Sequence, residues 1–228
     1  MKILVTAAEE QELNRAKKAL EAVKESRNVE SEVDFRLTGI GSVQACHCVT
    51  RAIVGSMAAG NPYDLVINIG IAGSYDFEEF PIGSAAVISR EYFGDLGFGG
   101  SDGFTDLFQY GILDRDGFPY TDGALARKVL PYPQIEKVLE KYRPGAGITV
   151  QCVTGTPEKV EELKGPFAAH IESMAGAGVY YAALMEQVPF FELRTVSNAV
   201  GERDTSKWDS RAALDTLEEC CREIFSVI

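Results

Sequence analysis

Hydrophobic and polar residues follow two periods along the first third of the chain. A short apolar and β-branched run at residues 2–6 predicts a strand, and alternation over residues 33–37 predicts a second one. Apolar residues three or four positions apart predict a helix after the first strand, and another helix is predicted over about residues 42–57. The run at residues 64–69 is almost wholly apolar, which is typical of a parallel strand buried on both faces.

The same order of elements continues in the second half of the chain. Strands are predicted at residues 84–89, 148–153 and 190–196, and a short strand-like run ends at Glu172. Helices are predicted at about residues 134–141, from 158, after the small residues that follow Met174, and from 210 to the end. Strands that alternate with helices indicate an α/β protein, here a single domain over residues 1–228 with a central mixed, largely parallel sheet flanked by helices.

Periodicity fades between about residues 91 and 133, where glycine, aspartate and aromatic residues are frequent. An insertion of this length without regular structure is usually functional or partly disordered. Its many aromatic residues favour order. We therefore expect an insertion at about 91–133 that contributes to function.

The composition of the chain limits the classes of binding partner that are expected. The chain has 228 residues with 46% hydrophobic content, enough for a substantial core. Lysine and arginine total 22 against 34 acidic residues, and 22 − 34 = −12, which disfavours general binding to nucleic acid or to an anionic membrane. The acidic N-terminal stretch is unlike a signal peptide, and no apolar run approaches about 20 residues. A cytoplasmic location is expected.

The cysteines indicate neither disulfides nor a metal. They form an odd, irregular set of five, which suggests reduced thiols. Cys46-His47-Cys48 alternates inside an apparent helix, and no second ligand pair follows at a spacing that suits zinc. We expect no metal and no cofactor.

The stretch at residues 170–184 is the first candidate ligand site. An apolar run ends in Glu172 and Ser173, and small residues then lead into a helical pattern. Small residues let the backbone lie close to a ligand, and a carboxylate nearby suits sugar hydroxyls. Tight helix packing is the alternative. Because ligands bind at the carboxyl ends of parallel strands, segments 7–12, 70–74, 154–174 and 197–204 are expected to converge on one pocket.

Two further features have competing interpretations. Gly39-Ile40-Gly41 follows a strand, but the third glycine and the acidic residue of a dinucleotide-binding motif are missing, so that assignment is rejected. Glu9, Glu10 and Glu12 suit a helix N-terminus through its dipole. Glu12 lies one turn into the helix, where burial would raise its pKa towards the range of a general base.

Four motifs in this order, MKILVTAAEEQE, TGIGSVQA, VINIGIAGS and ESMAGAG, resemble the purine nucleoside phosphorylase and nucleosidase superfamily over nearly the whole chain. Within it, DLGFGGSDGF, TVQCVTGTP and RTVSNAVGERDTSKWD most closely resemble the futalosine hydrolase family, relatives of the methylthioadenosine/S-adenosylhomocysteine nucleosidases. The resemblance implies release of hypoxanthine from futalosine, or adenine from aminodeoxyfutalosine, in the alternative menaquinone pathway. It also implies a purine nucleoside as ligand and a homodimer or larger assembly.

The resemblance assigns residues to roles. Glu12 stands where the nucleosidases hold the carboxylate that activates water. Asn198 stands where adenine-specific members place an aspartate that protonates purine N7; a neutral amide cannot deliver a proton, which is compatible with an oxo-purine, with Arg203 and Asp204 assisting. The other implied substrate-binding residues are Ala72, Gly73, Val153, Thr154, Glu172, Ser173, Met174 and Ala175.

The nucleophile is expected to be water. Phosphorylases of the superfamily carry an arginine and a hydroxyl side chain around the position of Asn68-Ile69-Gly70-Ile71, and both are missing here. A phosphate dianion would be poorly matched at that position.

One departure from the family pattern concerns the ribose. The family motif reads Glu-x-Met-Glu-Gly-Ala, and its second glutamate grips the ribose hydroxyls, but Ala175 stands in that place. Either a substitution was introduced, or the natural protein binds its sugar differently or has lost activity. Two alternative functions therefore stay open. One is a methylthioadenosine/S-adenosylhomocysteine nucleosidase, disfavoured by Asn198 and the insertion, and the other is a catalytically silent nucleoside-binding protein.

Overall fold

The computed structural model describes residues 1–100 and 103–228. Ser101 and Asp102, which belong to the predicted insertion and to the DLGFGGSDGF motif, lie outside the described residues. The α-helices are α1 (Glu10–Ser26), α2 (Ser42–Ala58), α3 (Pro133–Leu139), α4 (Pro157–Phe167), α5 (Gly176–Met185) and α6 (Ser210–Phe225), and a short 3-10 helix spans Thr205–Lys207.

The strands form one large sheet and one hairpin. The large sheet contains β1 (Lys2–Ala7), β2 (Glu32–Leu37), β3 (Leu65–Ser74), β4 (Ala85–Phe93), β7 (Tyr120–Thr121), β8 (Ala124–Ala126), β9 (Arg143–Thr149), β10 (Ile171–Ser173) and β11 (Phe190–Ala199). The hairpin pairs β5 (Gly97–Gly100) with β6 (Gly103–Asp106).

The large sheet curls on itself because β11 pairs with two strands that are distant in the sheet order. The order is β2-β1-β3-β10-β9-β4-β8-β7, and β11 pairs in parallel with β3 and antiparallel with β4. Strands β3, β10, β9, β4 and β11 therefore close into a ring. The predicted α/β class with a central mixed sheet and flanking helices is confirmed.

Helices cover both faces of the sheet. Neighbouring residues of β1 point to opposite faces, so Ile3 joins the core under α1, α3 and α6, while Leu4 joins the core under α2 and α5. A Cβ at Gly178 would collide with the backbone of Ser42, so this glycine is required for the close packing of α5 on α2. Within the described part of the chain, no helix is both long and apolar enough to cross a bilayer.

Four strands differ from the sequence pattern, and one of them, β4, continues past residue 89 to Phe93. β9 spans Arg143–Thr149 instead of residues 148–153, although proline and glycine usually interrupt strands. It can contain Pro144 because only residues 147–149 pair with β10, which leaves the first half with one neighbour, β4. β3 continues past residue 69 to Ser74, and β11 past residue 196 to Ala199, because residues 70–74 of β3 pair with residues 194–199 of β11. The segment 91–133 includes β5 to β8, so its described part is ordered rather than structureless.

Candidate active site

A pocket of about 140 Å³ lies where β1, β3, β10 and β11 end near the start of α5. It gathers residues from all four segments that the sequence predicted to converge. Its walls are formed by Ala8, Glu9, Glu12, Ile40, Ile71, Ala72, Gly73, Val153, Glu172, Ser173, Met174, Ala175, Arg194, Ser197, Asn198 and Trp208.

A larger cavity of about 540 Å³ lies elsewhere, between residues 118–131 and the end of α5. Its lining is mostly aliphatic and aromatic, and Lys128 is the one charged side chain among the described residues that line it. General acid–base chemistry needs convergent titratable groups. The smaller pocket has them and the larger cavity does not.

Glu12 is the most buried carboxylate of the pocket wall, with 3% of its surface exposed. It occupies the third position of α1 in a capping box, where its Oε2 accepts a hydrogen bond from the backbone N–H of Glu9 at 2.9 Å. Its Oε1 accepts from the backbone N–H of Ile71 on β3, also at 2.9 Å. The carboxylate is therefore clamped between the helix start and the sheet, and each oxygen retains a second lone pair for a ligand.

Burial and one cation set the proton affinity of Glu12. Burial raises the pKa of the carboxyl above its ordinary value, and the positive charge of Arg194 opposes this in part. A Cβ at Gly70 would collide with Arg194 Nη1 and would lie 2.8 Å from Glu12 Oε1. Glycine at this position therefore makes room for the Glu12 carboxylate and the Arg194 guanidinium side by side.

Asn198 on β11 lines the same pocket as Glu12. The register of β11 against β3 shifts between Val196 and Asn198, and such a bulge changes the direction of the side chains that follow it. The amide orientation is fixed because Oδ1 accepts from the Ser197 hydroxyl at 2.7 Å and Nδ2 donates to the Ala199 carbonyl at 2.8 Å. One Nδ2 hydrogen remains to be donated to a ligand.

Glu172 is retained from the family motif, but the protein already uses both of its oxygens. Oε2 accepts from the Tyr75 hydroxyl at 2.5 Å, and Oε1 accepts from the backbone N–H of Thr154 at 3.0 Å. Burial, followed by the charge of Glu172, raises the pKa of Tyr75 far above its usual range, so the phenol stays a donor. Glu172 therefore joins β10 to the loop that contains Thr154.

Ala175 lies at the N-terminus of α5, 3% exposed, with its methyl group in the pocket wall beside Met174. Ser173 stabilises this turn, since its hydroxyl accepts from the backbone N–H of Gly176 at 3.3 Å. A longer side chain at position 175 would therefore start at the wall of the pocket.

Three of the predicted site residues lie outside the pocket wall. Thr154 is buried behind Glu172 and reaches it through its backbone. Arg203 is exposed and covers Gly155, where a Cβ would lie 2.6 Å from Nη1. Asp204 is exposed and caps the 3-10 helix, with Oδ1 accepting from the backbone N–H of Ser206 at 3.1 Å.

Three wall residues lie outside the segments and residues predicted from the sequence, namely Ile40, Arg194 and Trp208. Ile40 lies between two glycines with positive φ, Gly39 at 78° and Gly41 at 106°, so the motif rejected as dinucleotide-binding borders the candidate pocket. Arg194 lies in the middle of β11. The one signal in the sequence that could have indicated it is its position four residues before Asn198.

The described residues contain no group of three or more His, Cys, Asp or Glu side chains arranged to hold a metal ion. Cys46 and Cys48 lie in α2 as predicted, and all five cysteines carry free thiols.

Comparison with known proteins identifies the family. The model of the phosphorylase superfamily matches residues 32–228. A futalosine hydrolase from Streptomyces coelicolor is 32% identical over 198 residues, which cover 86% of this chain and 79% of the relative. The chain belongs to the phosphorylase superfamily and, within it, to the futalosine hydrolase family.

Two solved structures share the fold. A 5'-methylthioadenosine/S-adenosylhomocysteine nucleosidase from Colwellia psychrerythraea in complex with adenine superposes with a TM-score of 0.77 at 20% identity, covering 99% of this chain and 94% of that one. The native futalosine hydrolase of Helicobacter pylori superposes with a TM-score of 0.76 at 16% identity, covering 98% and 97%. At this identity the likeness concerns the fold alone.

Proposed function

We propose that this protein hydrolyses the N-glycosidic bond of futalosine, or of aminodeoxyfutalosine, and releases the free purine base. The observation that carries the proposal is the buried carboxylate of Glu12, which has a raised pKa and lines the same pocket as the amide of Asn198. Membership of the futalosine hydrolase family supplies the substrate class.

The proposed reaction is a dissociative displacement at the anomeric carbon. The C–N bond breaks with its electron pair leaving to the purine, and the oxygen of water forms the new bond to carbon. Glu12 accepts one proton from that water and then releases it to solvent, while the departing purine takes up one proton from solvent to give the neutral base. The free Nδ2 hydrogen of Asn198 is donated to the departing base and offsets its developing negative charge. Burial strengthens Glu12 as a base, because a raised pKa makes the carboxylate a better proton acceptor.

Water is favoured over phosphate as the nucleophile by the charges around the pocket. Its wall includes Glu9, Glu12 and Glu172, and Arg194 is the one cation among the described wall residues. That guanidinium is already paired with Glu192, from Nε to Oε1 at 2.8 Å. Asn68 on β3 is also engaged, because its Nδ2 donates to Glu192 and its Oδ1 accepts from Thr6. A phosphate dianion would meet an excess of negative charge.

The first prediction is that futalosine or aminodeoxyfutalosine yields free base at a rate that does not depend on phosphate. Futalosine should be cleaved faster than either adenine nucleoside, aminodeoxyfutalosine or methylthioadenosine, because Asn198 cannot protonate adenine N7. Base release from equal concentrations of the three nucleosides is measured by chromatography, with and without phosphate. Release that requires phosphate would contradict the hydrolase proposal. Preferred cleavage of methylthioadenosine would support the nucleosidase alternative, and binding of a nucleoside without cleavage would support the silent homologue.

We also propose that the protein associates with itself beside this pocket. Ile40 lines the pocket and is 47% exposed, and Val43, three residues further along at the start of α2, is 77% exposed. Val54 and Met57 extend this exposed apolar surface along α2, at 46% and 44%. A second copy that packs on it would bury the apolar side chains and would cover the pocket wall at Ile40.

The second prediction concerns this surface. Val43→Glu places a charge among the exposed apolar side chains of α2 and should shift the protein towards monomer, because a buried unpaired charge is costly. Sedimentation velocity of the wild type and the variant measures the change. Gln134→Glu, which adds the same charge at an exposed position of α3, is the control and should sediment as the wild type does. A wild type that sediments as a monomer at micromolar concentration would refute self-association.

The cytoplasmic location expected from the sequence stays a prediction.

A further inference from the structure

A buried ion pair lies beneath the pocket. Glu192 and Arg194 are two residues apart on β11 and therefore point to the same face of the sheet. Their side chains are 1% and 3% exposed, and Arg194 Nε donates to Glu192 Oε1 at 2.8 Å. The other carboxylate oxygen of Glu192 accepts from Asn68 Nδ2 at 2.7 Å. Of this pair only Arg194 reaches the pocket wall, so Glu192 can act on a ligand only through its partner.

A second buried carboxyl, that of Glu91 on β4, lies next to the pair. Its Oε1 accepts from the Thr149 hydroxyl at 2.6 Å, and its Oε2 has no partner in the described part of the chain. A Cβ at Gly176 would lie 2.8 Å from Glu192 Oε1 and 3.0 Å from Glu91 Cδ, so both carboxyls crowd against the first residue of α5. Burial and the nearby charge of Glu192 raise the pKa of Glu91 well above its ordinary value.

The other groups that face these carboxyls carry little charge. Tyr180 on α5 faces both Glu91 and Glu192 and stays protonated, since burial raises the pKa of its phenol, and its hydroxyl donates to the Ile88 carbonyl. Arg194 therefore provides the positive charge of the cluster, between Glu192 on its own strand and Glu12 on α1. No ion pair within 4.0 Å joins Arg194 to Glu12 in the described chain, whereas Arg194 and Glu192 touch. The guanidinium charge is balanced chiefly by Glu192.

We propose that Glu192 is a positioning residue of the reaction: it holds the Arg194 guanidinium beside Glu12 and balances its charge, so that Glu12 stays basic enough to take a proton from water. The catalytic part of this inference rests on the proposed function, while the electrostatic link between Glu192 and Glu12 is a property of the folded chain. Without the charge of Glu192, the guanidinium would act on Glu12 alone and would stabilise its anion.

The experiment is a titration of Glu12 in the wild type and in Glu192→Gln. Carbon-13 NMR of protein labelled in the glutamate carboxyl groups follows each titration, and the Glu12 signal is identified by its loss in Glu12→Gln. The pKa of Glu12 is expected to fall by about one unit or more, which is the usual effect of an uncompensated cation at close range. The acid limb of the pH profile of kcat/KM should move to lower pH by the same amount. At neutral pH kcat should fall by roughly 10- to 100-fold with little change in KM, because the base is weaker and less well positioned.

The control removes a buried carboxylate from an ion-pair cluster outside the site, where Glu218 is paired with Arg15, Lys18 and Arg222. Glu218 on α6 is 5% exposed and accepts from Arg15 Nη1 at 2.9 Å, so Glu218→Gln should leave the Glu12 titration and the pH profile unchanged. If loss of the buried charge unfolds Glu192→Gln, Glu192→Asp tests the same link. Its shorter side chain keeps the charge but retreats from Arg194, so the shift should have the same direction and a smaller size.

The outcomes separate this inference from the proposed function. An unchanged Glu12 titration in a folded Glu192 variant overturns the link, whatever the activity. A shifted titration with a lowered kcat supports the whole proposal. A shifted titration in a protein that cleaves none of the three nucleosides supports the electrostatic link and removes its catalytic role together with the proposed function.

Discussion

Glu12→Gln is expected to lower kcat by about 10²- to 10⁴-fold, the usual contribution of a positioned general base. Glutamine has nearly the same shape but cannot accept a proton from water at neutral pH. The affinity for the free base should change little, because the amide of Asn198 is held by Ser197 and Ala199 independently of Glu12. Single-turnover kinetics give the rate of bond cleavage, and calorimetric titration with hypoxanthine gives the affinity.

The variant should remain folded, though less stable. Both oxygens of Glu12 accept from backbone N–H groups, of Glu9 and Ile71, and the amide nitrogen of glutamine can replace neither acceptor. One lost acceptor costs about 1–3 kcal/mol, which is a decrease in Tm of several degrees for a chain of this size. Thermal unfolding therefore accompanies the kinetics, so that loss of activity is not mistaken for loss of structure.

A matched control comes from the same helical turn. Glu10 is exposed, so Glu10→Gln removes one charge near the N-terminus of α1 without reaching the pocket, and it should keep nearly full activity. A Glu12→Gln protein that retains more than about a tenth of the wild-type kcat would exclude Glu12 as the general base, since even a modest base contributes about 10²-fold.

The sequence was sufficient for the elements whose periodicity is strong. α1, α2 and α6 follow the pattern because one face of each is buried, and the apolar core of β3 follows it because both of its faces are buried. It was insufficient where a strand is determined by its neighbours, as in β9, whose Pro144, Gly145 and Gly147 would each argue against a strand. Gly147 is required there because a Cβ would collide with Glu91 Oε2. That contact joins residues 56 positions apart and has no local signature.

The same distinction holds for the candidate site. Glu12 and Asn198 follow from recognisable motifs at strand ends, and the structure brings them to one pocket. Arg194 and its partner Glu192 lie inside an otherwise apolar strand, where buried charges are uncommon unless they are paired. Their pairing, and their proximity to Glu91, depend on the closure of β11 against both β3 and β4, which no local pattern predicts.

Ala175→Glu is expected to raise kcat/KM by about 10- to 150-fold, the equivalent of about 1.5–3 kcal/mol for a charged hydrogen bond to a hydroxyl. The new carboxylate would start from the pocket wall at the N-terminus of α5, where the helix dipole favours a negative charge. The retained Glu172 cannot move to replace it, because the hydrogen bonds from Tyr75 and Thr154 hold its carboxylate in place. Steady-state kinetics on futalosine measure the gain, and Ala175→Gln, of equal size and without charge, should recover only part of it.

The added charge should also change the pKa of Glu12, and the pH profile measures this change. A carboxylate at position 175 shares the pocket with Glu12, and a like charge raises the pKa of its neighbour. Glu12 would then lose its proton only at higher pH, so the acid limb of kcat/KM in Ala175→Glu should move to higher pH and the gain over wild type should grow as pH rises. A gain that is independent of pH would place the new carboxylate away from Glu12. If Ala175→Glu does not increase cleavage at any pH, the pocket holds its sugar without a glutamate at this position, and the family's arrangement for ribose does not extend to this chain.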